Sequence, residues 1–220
     1  QPHLIIEHRG APAPIEDRLI RTVADHPDVL AAWPVVQLQV VLKSETGVTG
    51  ATIKGVDPTA AGKGLAIKSL GSLNGQTTLP STSENASGRP GIVLGRDLAR
   101  TLGLLKGDTL FVVSPRGTLA PVGYLPAMKR FRVVGFFETG MYEYDGSLAF
   151  MNLADAQSLA QLKSSVHGLE IRVTDIFNTE TIQADLAAQF RNTFIFKDWR
   201  QMNKNLFAAL QLEKSAMFIT

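Results

Sequence analysis

The chain has 220 residues, 45% of them hydrophobic and 19% charged, with a formal net charge of +2. That size and balance suit a globular protein with a substantial core, as one large domain or two small ones. So small a charge, with no Lys/Arg stripe interleaved with aromatics, makes no case for nucleic acid, and the absence of cysteine excludes disulfides, thiolate catalysis and cysteine-based metal sites without fixing the compartment.

Taken in chain order, His3 to His8 reads as a short strand. Ala11-Pro12-Ala13-Pro14 is a stiff connector, and Ile15 to Asp25 is an amphipathic helix with Leu19, Ile20 and Val23 on its apolar side. Val35 to Lys43 and Val48 to Val56 are strands joined at Thr46-Gly47, and so form a hairpin. Residues 71–91 are rich in Gly, Ser, Thr, Asn and Pro and read as a loop. Ile92 to Gly95 is a brief strand, Arg96 to Leu102 a helix closed by Gly103, and Thr109 to Ser114 a strand entered by the turn Lys106-Gly107-Asp108. Arg130 to Glu138 and Ser147 to Asn152 are further strands. Leu153 to about Leu162 is a helix, Gly168 to Val173 a strand, Thr179 to Phe190 a helix N-capped by Thr179, Thr193 to Lys197 a strand, and Trp199 opens a last helix.

Strands and helices alternate near both ends, whereas the middle is β-rich. This predicts an α+β unit built from the two ends, residues 1–47 plus 156–220, with a mostly β subdomain inserted at 48–155. No internal repeat is visible. A strand begins within the first few residues, and Leu206 to Thr220 is an amphipathic helix turning apolar, so the sequence reads as a domain cut where a membrane helix begins. No stretch approaches the roughly 20 apolar residues of a span, and membrane segments are expected outside it.

Catalytic groups are hard to assemble. The four histidines are His3, His8, His26 and His167. None has a helical i, i+4 partner of the kind metal sites use, so surface or structural roles are expected. No G-x-S-x-G elbow occurs. Gly88-Arg89-Pro90-Gly91 lacks the phosphate-loop frame, and Pro90 removes a needed N–H. Ala61-Gly62-Lys63-Gly64 lacks the upstream glycine and reads as a turn. Glu138, Glu143 and Asp145 form the densest acidic set, and could in principle do acid/base work. A polar loop whose tyrosines cover a neighbour is the plainer reading. The expectation is no enzyme activity in this chain, no cofactor and no metal.

One segment resists a plain reading. Pro115 to Lys129 would be a connection of fifteen residues, where hairpin loops usually have roughly two to five. Pro115, Pro121 and Pro126 stiffen it, and it carries Leu119, Val122, Tyr124, Leu125 and Met128. A stiff, apolar, protruding loop loses little entropy on docking and supplies contact area. Arg116, Lys129, Arg130 and Arg132 at its base would steer an acidic partner. The structural alternative is a loop folded back on its own domain.

Here the chain resembles a known family. Gly91-Ile92-Val93-Leu94-Gly95, then Leu98-Ala99, then Leu102-Gly103-Leu104-Leu105-Lys106-Gly107-Asp108 are similar to the signature of the MacB-type periplasmic core. Arg132 to Asp145, Leu153-Ala154-Asp155-Ala156-Gln157, and Trp199 to Leu210 with Leu212-Glu213-Lys214 resemble successive stretches of lipoprotein-releasing ABC-transporter permeases, the LolC/LolE/LolF family. The resemblance covers essentially the whole chain, with its motifs in the expected order.

It implies a MacB-like core with a Porter subdomain from both ends and an inserted Sabre subdomain carrying a long hook loop. It implies a periplasmic domain, tethered by four membrane helices of the full protein to the inner membrane of a Gram-negative bacterium. The full protein would pair with a second permease subunit, as homo- or heterodimer, and be driven by a separate cytoplasmic LolD-like ATPase. The complex would release outer-membrane lipoprotein cargo to the periplasmic chaperone LolA. The family's hook, which captures that chaperone, falls on Pro115, Arg116, Leu119, Ala120, Pro121, Val122, Gly123, Tyr124, Leu125 and Pro126, with Lys129 and Arg130 at its base as the basic grip. Val122 stands where the family's hook can carry Met. Since the LolE-type subunit lacks a working hook, a hook implies a LolC- or LolF-type subunit. The alternatives are a mechanotransmission domain of another MacB-type exporter, engaging an envelope adaptor or hydrolase, and a stand-alone hydrolase or binding protein. The last would show a ligand-sized pocket lined by convergent polar groups.

Overall fold

The computed structural model describes residues 2–57, 89–120, 123–190 and 193–202. The expected loop at 71–91, apart from its last residues, lies outside the described residues. So do the turn Ala61–Gly64 and all of the final helix beyond Met202.

Among the described residues nine strands carry the architecture: β1 (Leu4–His8), β2 (Val29–Lys43), β3 (Val48–Val56), β4 (Gly91–Gly95), β5 (Thr109–Ala120), β6 (Gly123–Phe137), β7 (Leu148–Asn152), β8 (Gly168–Val173) and β9 (Phe194–Asp198). The helices are α1 (Asp17–Ala24), α2 (Arg96–Thr101), α3 (Tyr142–Asp145), α4 (Leu153–Ala160), α5 (Thr179–Gln189) and α6 (Trp199–Met202), with a 3-10 turn at Ile176–Asn178. The strands hydrogen-bond in the order β3-β7-β4-β6-β5-β2-β8-β1-β9, and β3 also pairs with β2. Six strands, β2, β3, β7, β4, β6 and β5, therefore close into a ring, and β8, β1 and β9 extend it from one side.

Strand β2 makes this possible by serving both parts. Its first half, Val29 to Val35, pairs with β8, and its second half pairs with β3 from Val35 to Lys43. From Leu38 onward its residues alternate buried and exposed (Leu38, Val40 and Leu42 in; Gln37, Gln39, Val41 and Lys43 out). That is the period-2 pattern of a strand with one face on a core. The expected strand began only at Val35, because Ala31, Ala32 and Pro34 carry weak strand preference. Pairing with β8 overrides it.

Each part has its own core. Leu38, Leu42, Ile53, Leu94, Leu110, Val112, Phe131 and Val133 of the ring strands pack with Leu98 and Leu102 of the α2 segment and Ala156 and Leu159 of α4. In the extension, Leu4, Ile6, Leu169 and Ile171 pack beneath Leu19 and Val23 of α1 and Ile182 and Leu186 of α5. At the junction sits a buried charge. Glu170 on β8, 1% exposed, accepts from Trp33 Nε1 at 3.1 Å and from Lys54 Nζ at 2.6 Å. Two of its three members come from the ring and one from the extension.

Two local expectations are corrected. Thr179 does not cap α5. The chain enters that helix through the 3-10 turn, whose cap is Asp175, accepting from Phe177 N at 2.9 Å. The Thr179 hydroxyl instead donates back to the Ile176 carbonyl. The larger correction concerns 115–129, which is not an irregular loop. Both flanking strands run on into it, to Ala120 and back from Gly123.

Candidate functional site

The segment is a two-stranded β-ribbon. Beyond Ser114↔Ala127 the ladder resumes at Gly117↔Pro126 and continues through Thr118↔Leu125 and Leu119↔Tyr124 to Ala120↔Gly123. Pro115 and Arg116 are thus extra residues on β5, a bulge that bends the ribbon. The prolines explain its position. Proline cannot donate to a ladder and is tolerated at edges and bulges, and Pro115 lies in this bulge with Pro126 opposite its far side. Gly117 lets the strands rejoin, because a Cβ there would lie 1.8 Å from the Leu125 carbonyl oxygen.

The sequence-predicted residues divide by position. Pro121 and Val122 lie outside the described residues. Leu119, Ala120, Gly123 and Tyr124 lie on the paired backbone of the ribbon, and Arg116 lies in the bulge. Leu125 is 50% exposed and Met128 61% exposed, and Pro115 and Pro126 are exposed too. Arg130 stands on the outer face of the root, its guanidinium carbon 4.8 Å from the centre of the Phe111 ring, a cation–π contact that leaves the charge in solvent. Arg132 donates to the Gly107 carbonyl.

Lys129 points the other way. Its ammonium lies 2.8 Å from Asp155 Oδ1, with the lysine side chain 31% and the aspartate 5% exposed. The expectation grouped Lys129 with Arg130 as a grip for a partner, but alternation along β6 places adjacent residues on opposite faces. Asp155 was read only as part of a helix motif. Its partner lies 26 positions away in sequence, and only strand alternation combined with the position of α4 brings the two together.

Three of the four histidines and one of the three loop carboxylates hold local backbone in place. The nitrogens Nδ1 of His3, His26 and His167 accept main-chain N–H groups of Val173, Asp28 and Gln37. The buried carboxylate of Asp145 accepts from Thr139 N and Oγ1, both at 2.8 Å, and from Gly140 N at 3.1 Å, which organises the turn before α3. Tyr144 packs partly buried against the cluster of Trp33, Val93 and Phe150, while Tyr142 is 79% exposed and covers nothing. A groove of about 520 Å³ runs between the ring and the extension. Its charged Lys54 and Lys197 are already in ion pairs, with Glu170 and Glu7, both at 2.6 Å. Among the described residues no group of three His, Cys, Asp or Glu side chains is placed to hold a metal, and no helix is long and apolar enough to cross a membrane.

A nine-stranded, mostly antiparallel sheet partly closed on itself, with helices packed on both its cores, makes this an α+β domain. The model of the MacB-like periplasmic core domain matches residues 2–189, and the chain belongs to that family. Among curated proteins it is similar to the lipoprotein-releasing system transmembrane protein LolC of Neisseria meningitidis serogroup B, 32% identical over 202 residues, 91% of this chain and 47% of that protein. It is also similar to LolC of Xylella fastidiosa (strain Temecula1), 29% identical over 217 residues, 99% of this chain and 51% of that protein. The chain spans about half the length of these relatives. The periplasmic region of MacB from Actinobacillus actinomycetemcomitans shares the fold with a TM-score of 0.56 at 11% identity, covering 92% of this chain and 91% of that one. The extracellular domain of the noncanonic ABC-type transporter YknZ from Gram-positive bacteria gives 0.52 at 9% identity, covering 89% and 99%. The family match and the LolC similarity over most of the chain support a LolC-family periplasmic domain of an ABC-type permease.

Proposed function

We propose that this chain is the chaperone-docking domain of a lipoprotein-releasing permease, and that the β5–β6 ribbon is its hook. The observation that carries this is the projecting ribbon itself. Leu125 is 50% exposed on paired backbone beyond a proline-marked bulge, and Met128, opposite Val113 at the ribbon's root, is 61% exposed. A solvated connection has no need of apolar contact area presented on so ordered a support. The set that meets the partner is Pro115 to Pro126 with Arg130 beside it. The partner is a LolA-like periplasmic chaperone receiving lipoprotein cargo. The full protein would sit in a Gram-negative inner membrane with a second permease subunit and a cytoplasmic LolD-like ATPase. In this reading the chain divides into a Porter subdomain, 1–47 with 156–220, and a Sabre subdomain, 48–155, with β2 shared between them. The chain itself performs no catalysis.

The test is titration calorimetry of the 220-residue chain against the cognate LolA-like protein. Leu125→Asp places a charge in the apolar contact and is expected to abolish the heat of binding while leaving the thermal midpoint unchanged. Undiminished binding by Leu125→Asp and by Val122→Asp sinks the hook assignment. The fold shared with MacB favours one second reading, a mechanotransmission domain of another exporter. Recovery of an envelope adaptor and no lipoprotein chaperone in a pull-down would support it.

A further inference from the structure

We propose that Asp155 is a positioning residue, which sets the angle of the β5–β6 ribbon by holding Lys129. This rests on the ribbon being the docking element. A two-stranded ribbon that leaves its sheet has little to fix its direction, and a bulge adds bend without fixing its size. Along β6 the side chains on the core face are Phe131, Lys129, Ala127 and then Leu125, going from fully buried to half exposed. Lys129 is thus the last charged inward side chain before the bulge. Its ammonium reaches 2.8 Å to Asp155 and lies 5.8 Å from the Phe131 ring centre.

The other end of the tether is fixed. Asp155 stands in the first turn of α4, where the helix dipole favours a carboxylate. The neighbouring Ala156, Leu159 and Ala160 are buried in the ring core, and Asn152 caps the helix by accepting from Ala154 N at 3.0 Å. The ribbon's root, where Lys129 pairs with Val112 and β5 still pairs with β2, is thereby tied by an ion pair to a helix packed on β2 and β3 just before the bulge. A partner reading an apolar edge needs that edge at one angle. Apparent affinity falls in proportion to the share of molecules holding the competent angle.

The chain lacks cysteine, so spin labels on cysteines placed at Thr118 and at Glu45, in the β2–β3 turn, report ribbon against body in the otherwise native chain. The double variant Lys129→Met/Asp155→Asn removes the pair without leaving a buried charge. It is expected to keep the wild-type circular dichroism and melt within a few degrees of it, yet show a broadened or displaced distance distribution. Affinity for the chaperone is expected to fall about tenfold if about a tenth of molecules keep the angle. Lys129→Arg, which preserves the pair, is expected to retain both wild-type values. A double variant with the wild-type distribution, or a broadened distribution with unchanged affinity, overturns the proposal. If the wild-type chain binds no chaperone at all, the docking reading fails, and the distance distributions still decide whether Asp155 sets the angle.

Discussion

Strand β6 has two halves of similar residue type and opposite fate. Phe131, Val133 and Phe137 are at most 1% exposed, whereas Leu125, on the same face beyond the bulge, is 50% exposed. Strand preference does not separate them, since both halves lie on well-paired backbone. What separates them is the neighbour across the face. The root lies against α4 and the other ring strands, and past the bulge, among the described residues, the backbone of the ribbon pairs only with itself. Apolar character in a strand therefore indicates burial only where another layer covers it, and elsewhere it indicates contact surface. The sharpest break of this comparison is a pair of truncations. Phe131→Ala should cost about 3–5 kcal/mol, the usual range for a buried aromatic, and Leu125→Ala no more than about 0.5 kcal/mol, as for surface sites. Urea melts of both variants measure this. A loss at Leu125 near that at Phe131 would mean that the ribbon is packed on the body.

The comparison also shows which parts of the fold were legible in the sequence. Val48–Val56 and Gly168–Val173 match the expected strands end to end, because alternation and flanking turns agree there. The ribbon reads as a loop in the sequence because Pro115, Pro121 and Pro126 ordinarily end strands. The bulge absorbs Pro115 and sets Pro126 at its edge, a device that only pairing reveals. Apolar and basic residues still marked the segment as an exception, so its place was legible and its backbone was not. Lys129 was assigned by proximity to Arg130, though the two face opposite ways. The node of Trp33, Lys54 and Glu170 brings β8 to the β2–β3 hairpin across 137 and 116 positions and leaves no local trace.

That node gives the next test, on the link between ring and extension. Glu170→Ala removes the acceptor of both Trp33 Nε1 and Lys54 Nζ, and leaves a lysine 17% exposed without its counterion. Breaking a buried pair from one side costs about 3–5 kcal/mol, and the partial exposure of Lys54 puts the loss near about 3 kcal/mol. Lys54→Met/Glu170→Leu replaces both charges by apolar volume and should recover most of it. Tryptophan fluorescence and circular dichroism followed through one urea melt give the readout. If the two parts act as one cooperative unit, both probes move together. A Glu170→Ala melt in which they separate would show the node to be what couples the parts.

The smallest expected effect lies at the far end of the extension, in its response to pH. His3 is partly buried beside β8, and its Nδ1 accepts the Val173 N–H at 3.3 Å, a bond that only an unprotonated Nδ1 can accept. Burial first, and then the charge of Arg172, hold its pKa below the usual 6.5. The unfolded chain therefore binds the His3 proton at a higher pH than the folded chain does. This contribution is complete above pH 6.5 and is lost as the pH falls from there through the folded pKa. His3→Phe keeps an aromatic ring but cannot titrate, so the wild-type-minus-variant stability should decline on acidification through that window and stay level above it. Amide exchange should register the same change locally, with the Val173 N–H losing protection before the ring strands do. A difference that stays flat from pH 7.5 to pH 5 would show that His3 adjusts to its proton without disturbing β8, leaving the extension no more acid-sensitive at this point than the ring.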